Sequence, residues 1–217
     1  MEEFILRVCY SAPGFLMAIC LHEYGHAWMS NRFGDNTAKS HGRLSLNPAV
    51  HYDLFGTIIL PIIFAASGLG IFGYAKPVPV DARNFKSFRK AIFWVSFAGP
   101  LANVMLMVLS AFFFVLMSTF LPKDFFLFEP LVNMLYFSVN INVLLAVFNL
   151  IPIPPLDGSR MVSSFLSYDK ARFYEGLERY SFMFFLLLWM THAFDYLMYP
   201  ARIASSGIVF IFSLMFS

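Results

Sequence analysis

The sequence predicts an all-α, multi-pass membrane protein with about five to six transmembrane or re-entrant segments. Of its 217 residues, 59% are hydrophobic and only 13% are charged, whereas a soluble domain carries roughly 25% charged residues. The mean hydropathy is positive. The apolar residues also form blocks close to the ~20 residues that a helix needs to cross a bilayer. These observations exclude an ordinary soluble domain.

The apolar blocks define the expected membrane segments. They cover residues 4–21, continued by a polar motif to residue 30, and residues 54–72, 91–121, 131–150 and 181–199. A last block, 203–216, is shorter and predicts a partial or tilted span. Proline and glycine interrupt 54–72, and basic segments flank it on both sides. We therefore interpret it as re-entrant or interfacial, with a full span of opposite loop charge as the alternative.

Basic residues indicate the orientation of the chain. Eight of the fifteen Lys and Arg residues lie between the first block and residue 91, and four more follow the fourth block. Cytoplasmic loops are enriched in such residues, so we expect these segments on the cytoplasmic side. Because topology accounts for the basic residues and the net charge is only +2, nothing predicts a nucleic-acid partner.

The stretch ICLHEYGHAWMS, residues 19–30, places three metal-competent side chains in an apolar helix. His22 and His26 are four residues apart and project from one helix face. Two imidazoles suit zinc, and the adjacent Glu23 is placed to take a proton from a metal-bound water. Ionisable groups inside membrane segments are costly and commonly functional. The motif therefore predicts metal-assisted hydrolysis with Glu23 as the general base.

Zinc requires at least a third protein ligand, and the neighbouring sequence supplies none. The extended pattern H-E-x-x-H-x-x-G-x-x-H would place glycine and histidine where the chain has Met29 and Arg32. No glutamate occurs between Glu23 and Glu129. The third ligand must therefore come from a distant segment.

The stretch FNLIPIPPLDGSRMV, residues 148–162, combines a carboxylate with a broken helix. Its three prolines open the backbone, which at membrane depth is tolerated where it lines a cavity or is buried in protein. Asp157 alone could cap the helix that follows. Beside a two-histidine site, we expect it to be the third ligand and to leave a fourth position for water. Asn149 could hold substrate backbone or an oxyanion, or it could bind carbonyls that the prolines free.

Together these motifs resemble the site-two proteases, zinc metalloproteases that cut within or beside the membrane. The resemblance rests on His22-Glu23-x-x-His26, on Asn149-x-x-Pro152-x-x-x-x-Asp157-Gly158 and on AGPLAN at 98–103. The stretches GRLSLNP at 42–48 and GYAKPVPV at 73–80 resemble the compact bacterial members, which carry no PDZ or CBS domain.

The resemblance implies a site and a location. One Zn²⁺ per chain would be held by His22, His26 and Asp157, Glu23 would activate water, and Asn149 would assist catalysis or position substrate. We expect one integral-membrane peptidase domain over 1–217, with a catalytic core at about 4–167 and C-terminal helices at about 180–217. It would lie in a bacterial cytoplasmic membrane, with the active site opening toward the cytoplasm.

The expected partners are single-span membrane proteins or peptides and the lipid bilayer. Alternation of side chains in HGRLSLNP predicts a small β element in the cytoplasmic loop after the first helix. We expect its edge to accept unwound substrate by strand addition. The residues involved would be Arg43, Leu44, Ser45, Leu46 and Asn47. His51, in the same loop, is a candidate accessory residue.

Two functions from other classes remain alternatives. A zinc-binding membrane transporter would use His22, His26 and Asp157 as a transit site, although such a site has no need of a base like Glu23. A non-proteolytic scaffold of the same fold would not need an intact set of chemical residues. The oligomeric state is left open.

Overall fold

The computed structural model describes residues 2–67, 73–191 and 193–216, and in that part of the chain every regular element is helical. The helices are α1 (Glu2–Arg32), α2 (Thr37–Ser40), α3 (Leu60–Ala66), α4 (Phe88–Phe120), α5 (Phe128–Leu150), α6 (Asp157–Ser163), α7 (Tyr168–Glu175), α8 (Ser181–Met190) and α9 (Ala193–Met215). Short 3₁₀ turns lie at Pro48–Val50, Ala82–Asn84 and Gly176–Tyr180, and a π-helical turn at Leu54–Ile59 leads into α3.

Within the described part of the chain, four helices are long and apolar enough to cross a membrane, which confirms the all-helical membrane class. These candidate spans are Phe4–Arg32, Phe88–Phe120, Phe128–Leu150 and Met198–Met215. The first three agree with the predicted blocks at 4–30, 91–121 and 131–150. Each of these helices contains an 18-residue stretch with at most two charged residues, a composition suited to the hydrocarbon core of a bilayer.

Helix α4 lies at the centre of the bundle and packs against α1, α5, α6 and α9. One buried cluster joins α4, α5 and α9 through Met107, Ala111, Val139, Val143, Met198 and Ala201. A second joins α1 and α5 to the segment before α4 through Phe15, Ala18, Ile19, Ala75 and Ile141. Small residues in both clusters allow close helix approach.

The predicted span at 181–199 is not among the candidate spans of the described residues. The apolar helix α8 ends at Met190 after ten residues, about 15 Å, which is too short to cross the ~30 Å hydrocarbon core. Helix α9 instead continues through Pro200, so its long apolar window runs over Met198–Met215. A proline removes one helical hydrogen bond but need not end a membrane helix.

The apolar block at 54–72 is a short helix in the described part of the chain. It consists of the π-helical turn and α3, together Leu54–Ala66, and packs against α1. Residues 68–72, the rest of the block, lie outside the described residues. A helix of this length does not cross a bilayer, which favours the re-entrant interpretation over a full span.

The small β element predicted at 41–48 is wrong, since no strand occurs among the described residues. Here the backbone acceptors bind side chains instead of a neighbouring strand. The carbonyl of Ser45 lies 2.7 Å from His51 Nε2, and Leu46 O accepts from Cys20 Sγ at 3.2 Å. With those oxygens occupied, no ladder forms despite the alternating side chains.

A buried carboxylate closes the loop that follows α1. Asp35 is fully buried and accepts hydrogen bonds from the Ser30 hydroxyl, from the backbone and hydroxyl of Thr37, from the Asp81 N–H and from the Asn84 amide. Burial alone would raise the pKa of Asp35, but these donors outweigh burial and lower its pKa below the ordinary value. Asp35 thereby joins the end of α1 to the segment that precedes α4.

Asp35→Asn is expected to lower the thermal stability of the detergent-solubilised protein, with a cost on the order of 3 kcal/mol at neutral pH. Because the folded pKa is lowered, the stabilising contribution is complete above the unfolded value of about 3.9 and is lost as pH falls below it. Melting from pH 3 to 7 should therefore show a wild-type advantage that shrinks below about pH 4. The control is Asp124→Asn in an exposed turn. An advantage that does not change with pH would contradict the prediction.

Candidate metal centre

Three side chains from α1 and the start of α6 converge on one point. His22 Nε2 lies 3.1 Å from His26 Nε2 and 3.1 Å from Asp157 Oδ2. His26 Nε2 lies 3.3 Å from the same carboxylate oxygen. All three side chains are largely shielded from solvent, with 11% to 13% of each exposed. The structure thus brings together the three ligands predicted from the sequence.

The second nitrogen of each imidazole faces an acceptor. His22 Nδ1 lies 2.6 Å from the Asn103 side-chain oxygen, and His26 Nδ1 lies 2.7 Å from the Val95 carbonyl. A neutral imidazole donates from one nitrogen and accepts at the other, so both Nε2 atoms present lone pairs to the centre. Asp157 Oδ2 is buried there without a hydrogen-bond donor among the described residues. Three acceptors that face one another in this way could together hold a metal cation.

The separations fit zinc. Ligand atoms at 2.0–2.2 Å from a tetrahedral zinc lie about 3.3–3.6 Å from one another, at or slightly above the separations seen here. The three observed separations are 3.1, 3.1 and 3.3 Å. Two nitrogens and one carboxylate oxygen are a ligand set of catalytic zinc sites, which keep the fourth position open.

Close approach of α4 to α1 shapes the floor of the site. A Cβ added to Gly99 would overlap His26 Nε2 and would lie 2.8 Å from His22 Cε1. A Cβ on Gly25 would lie 2.6 Å from the Ala98 carbonyl oxygen. Glycine at both positions therefore lets the two helix backbones meet and leaves room for the imidazole rings.

The broken segment after α5 carries Asp157, the predicted third ligand. Helix α5 ends at Leu150, and α6 begins directly at Asp157. The residue in the N-cap position is Leu156, and no side chain caps the helix. The alternative role of Asp157 as a helix cap is therefore not observed. A Cβ on Gly158 would collide with the Leu150 carbonyl, so glycine allows the segment to fold back on α5 at this point.

Glu23 lies next to His22 on α1 and is partly exposed. Its Oε2 accepts a hydrogen bond from the backbone N–H of Val78 at 2.8 Å. No charged partner binds this carboxylate among the described residues. A carboxylate held in this way keeps a second oxygen available to accept a proton.

Asn149, the other predicted catalytic residue, lies in the last turn of α5. Its Nδ2 donates to the Leu145 carbonyl of the same helix at 3.0 Å. Leu145 precedes the prolines, so this bond is not the predicted binding of carbonyls that the prolines free. An amide has two N–H donors and an acceptor oxygen, so a role toward substrate stays a prediction.

The residues predicted to bind substrate lie outside this cluster of ligands. Arg43 is buried, and its guanidinium donates to the carbonyls of Lys76 and Pro77. Asn47 caps the turn at Pro48–Val50, and Leu46 is exposed. His51 is fully buried and contacts Ser45 O. Roles of Arg43–Asn47 in substrate binding and of His51 as an accessory residue stay predictions.

A buried network of hydrogen-bonded asparagine side chains lies behind His22 and orients Asn103. Asn103 Nδ2 donates to the Ala18 carbonyl at 3.0 Å and to the Asn142 side-chain oxygen at 2.9 Å. Asn142 in turn donates to the Ser138 carbonyl. Sequence analysis missed Asn142, although an asparagine in an apolar span is costly unless it is hydrogen-bonded and could have been noticed on that ground. Because these bonds use the Asn103 Nδ2, its side-chain oxygen is the atom that faces His22.

Asn103→Leu is expected to weaken zinc binding by roughly 10–100-fold, because the acceptor that orients His22 is lost. Competition with a chromophoric chelator measures the affinity. Asn140→Leu is the matched control, since Asn140 is exposed on α5 and donates to the Tyr136 carbonyl in its own helix. Equal zinc affinities of the Asn103 variant and wild type would contradict a role in orienting the ligand.

The membrane helices, the two imidazoles and carboxylate, and the neighbouring glutamate define a class of protein: the membrane zinc metalloproteases. Comparisons with known proteins give the family. The family model described as Peptidase family M50 matches residues 123–190, which include Asn149 and Asp157.

Similar proteins support the same assignment over the rest of the chain. A Bacillus subtilis protein named "Putative zinc metalloprotease YwhC" is 36% identical over 95% of this chain and 92% of its own length. "Putative zinc metalloprotease Rip2" of Mycolicibacterium smegmatis is 33% identical over 84% of this chain and 67% of its own length. "Putative zinc metalloprotease MJ0611" of Methanocaldococcus jannaschii is 29% identical over 73% of this chain and 70% of its own length. No solved structure matches the chain. The chain belongs to peptidase family M50, and its cofactor is zinc.

Proposed function

We propose that this protein is an intramembrane zinc endopeptidase of the H-E-x-x-H type, which hydrolyses peptide bonds of membrane-spanning substrates within or near the bilayer. The observation that carries the proposal is the convergence of His22, His26 and Asp157 beside Glu23. Both histidines lie within the candidate span Phe4–Arg32. A zinc-type site at that depth is suited to substrates that are themselves in the membrane.

Each residue of the site has its own proposed role in peptide hydrolysis. His22, His26 and Asp157 would hold zinc, which when bound supplies a Lewis acid for the scissile carbonyl and lowers the pKa of water. Glu23 takes the proton from water as the water oxygen bonds to the carbonyl carbon. Glu23 then delivers that proton to the amide nitrogen as the C–N bond breaks. The Asn149 N–H that is not bound to Leu145 is available to hold a substrate carbonyl or an oxyanion.

The proposed substrates are single-span membrane proteins or peptides. The helix of such a substrate must unwind before its scissile carbonyl is free. The proposed location is a bacterial cytoplasmic membrane with the active site opening toward the cytoplasm. This orientation is supported by the twelve basic residues in the segments around the site. The bacterial location is supported by the bacterial relatives.

The test combines zinc content with cleavage. Wild type and Glu23→Gln, purified and reconstituted in liposomes, are analysed for zinc per chain and for cleavage of a panel of single-span peptides. We expect about one zinc in both proteins. Removing the general base should lower the cleavage rate by roughly 10²–10⁴-fold. Matched soluble peptides with the same scissile sequences should be cleaved less well than the membrane-spanning ones.

Two outcomes would contradict the proposal. Cleavage by Glu23→Gln at the wild-type rate would remove Glu23 as the base. Zinc binding without cleavage of any peptide would favour the transporter or scaffold alternatives, which a zinc-flux measurement in the same liposomes would then separate.

A further inference from the structure

The segment at 73–80, sequence GYAKPVPV, binds the rest of the protein through the backbone N–H groups of three alternate residues. These bonds are Tyr74 N to Gly56 O at 3.0 Å, Lys76 N to His51 O at 2.9 Å and Val78 N to Glu23 Oε2 at 2.8 Å. Donors that recur every second residue face the same side of an extended chain. The last of them ends on the glutamate beside the metal ligands.

Two prolines fix the direction of the Val78 N–H. Pro77 and Pro79 flank Val78, and a proline holds both its own φ and the residue before it in an extended conformation. Neither proline has an N–H, so Val78 provides the only backbone donor between residues 76 and 80. The segment therefore presents a single donor to Glu23 in a stiff stretch of backbone.

Contacts on both sides of Val78 anchor this stretch. The buried Arg43 donates to the Lys76 and Pro77 carbonyls, and the Ala75 side chain is buried in the cluster with Phe15. On the far side, the Asp81 N–H donates to the buried Asp35 at 2.9 Å. The donor near Glu23 is thus held by the protein and does not depend on a mobile side chain.

We propose that the backbone N–H of Val78 is a positioning group for the general base. It binds Glu23 Oε2 and so leaves Oε1 as the oxygen that receives the proton. This inference rests on the proposed function, since it assumes that Glu23 is the base. Within the described part of the chain, this is the hydrogen bond that holds the Glu23 carboxylate.

Val78→Pro removes one N–H and keeps the backbone extended, so it tests the proposal directly. We expect kcat to fall by roughly 10–100-fold, the scale of a misplaced catalytic group, with KM and zinc content unchanged. Val78→Ala keeps the N–H and should retain at least about ten times the kcat of Val78→Pro. Val80→Pro is the matched control, because no hydrogen bond to the Val80 N–H occurs among the described contacts.

A second measurement does not depend on activity. Hydrogen exchange of single amides, followed by NMR in micelles with and without zinc, should show a protected Val78 amide in wild type. That protection should fall at least tenfold in Glu23→Ala, whereas the Lys76 amide, bound to His51 O, should stay protected in both proteins.

The outcomes separate this proposal from the proposed function. An unchanged kcat in Val78→Pro, or equal Val78 protection in wild type and Glu23→Ala, would overturn the positioning role and leave the protease assignment intact. If wild type cleaves no peptide, the protease assignment fails. Loss of Val78 protection in Glu23→Ala would then still establish the contact.

Discussion

Asp157→Ala is expected to abolish both zinc binding and peptide cleavage. In the proposed set of three ligands, Asp157 would supply the charged atom, which lies 3.1 and 3.3 Å from the two imidazole nitrogens. Without it, two neutral histidines remain, one ligand fewer than catalytic zinc sites use. Because loss of an outer hydrogen-bond partner already weakens metal affinity 10–100-fold, loss of a ligand should weaken it by roughly 100-fold or more.

Elemental analysis after dialysis against a weak chelator, together with the cleavage assay, measures the result. Asp169→Ala is the matched control, since Asp169 is an exposed aspartate on α7. Wild-type zinc content in Asp157→Ala would show that the carboxylate is not a ligand. Lost zinc in both variants would point instead to a general effect on folding.

Gly99→Ala should also weaken zinc binding, although it leaves every proposed ligand in place. The new methyl group would overlap the His26 ring and lie 2.8 Å from His22 Cε1. Withdrawal of α4 would also break the close contact between Gly25 and the carbonyl of Ala98, the residue before Gly99. Overpacking of this kind costs about 1–3 kcal/mol, and we expect most of that cost to appear as at least tenfold weaker zinc binding.

Gly207→Ala in α9 is the control for this substitution, because a Cβ there meets no atom within 4 Å. It should change stability by less than about 1 kcal/mol, since alanine suits a helix better than glycine does. Zinc affinity is measured by competition with a chromophoric chelator. If Gly99→Ala binds zinc as tightly as wild type, the close contacts between Gly99 and the two histidines do not limit zinc binding, and the prediction is wrong.

The sequence predicted the ligand set because its signals are side chains at known spacings. A four-residue interval places His22 and His26 on one helix face, and prolines mark the open backbone before Asp157. The long apolar blocks predicted three of the four candidate spans for the same reason. Family resemblance then joined two motifs that lie far apart in the chain.

Other features could not be predicted because they depend on tertiary contacts. The alternation at 41–48 suggested a strand, but His51 and Cys20 occupy the carbonyls that a ladder would need. The boundary placed at Tyr199 failed because α9 continues through Pro200. Contact between the Val78 N–H and Glu23 has no side-chain signature at all, since any residue except proline would provide the donor.

The ligands of the metal centre come from α1 and from the start of α6, with most of the bundle between them in the chain. Zinc bound by these residues would cross-link α1 to α6, and its binding free energy would add to the stability of the folded state. A chelator would then act on this protein as a denaturant as well as an inhibitor. In a cell short of zinc, the same linkage would make the amount of folded protease follow the supply of the metal.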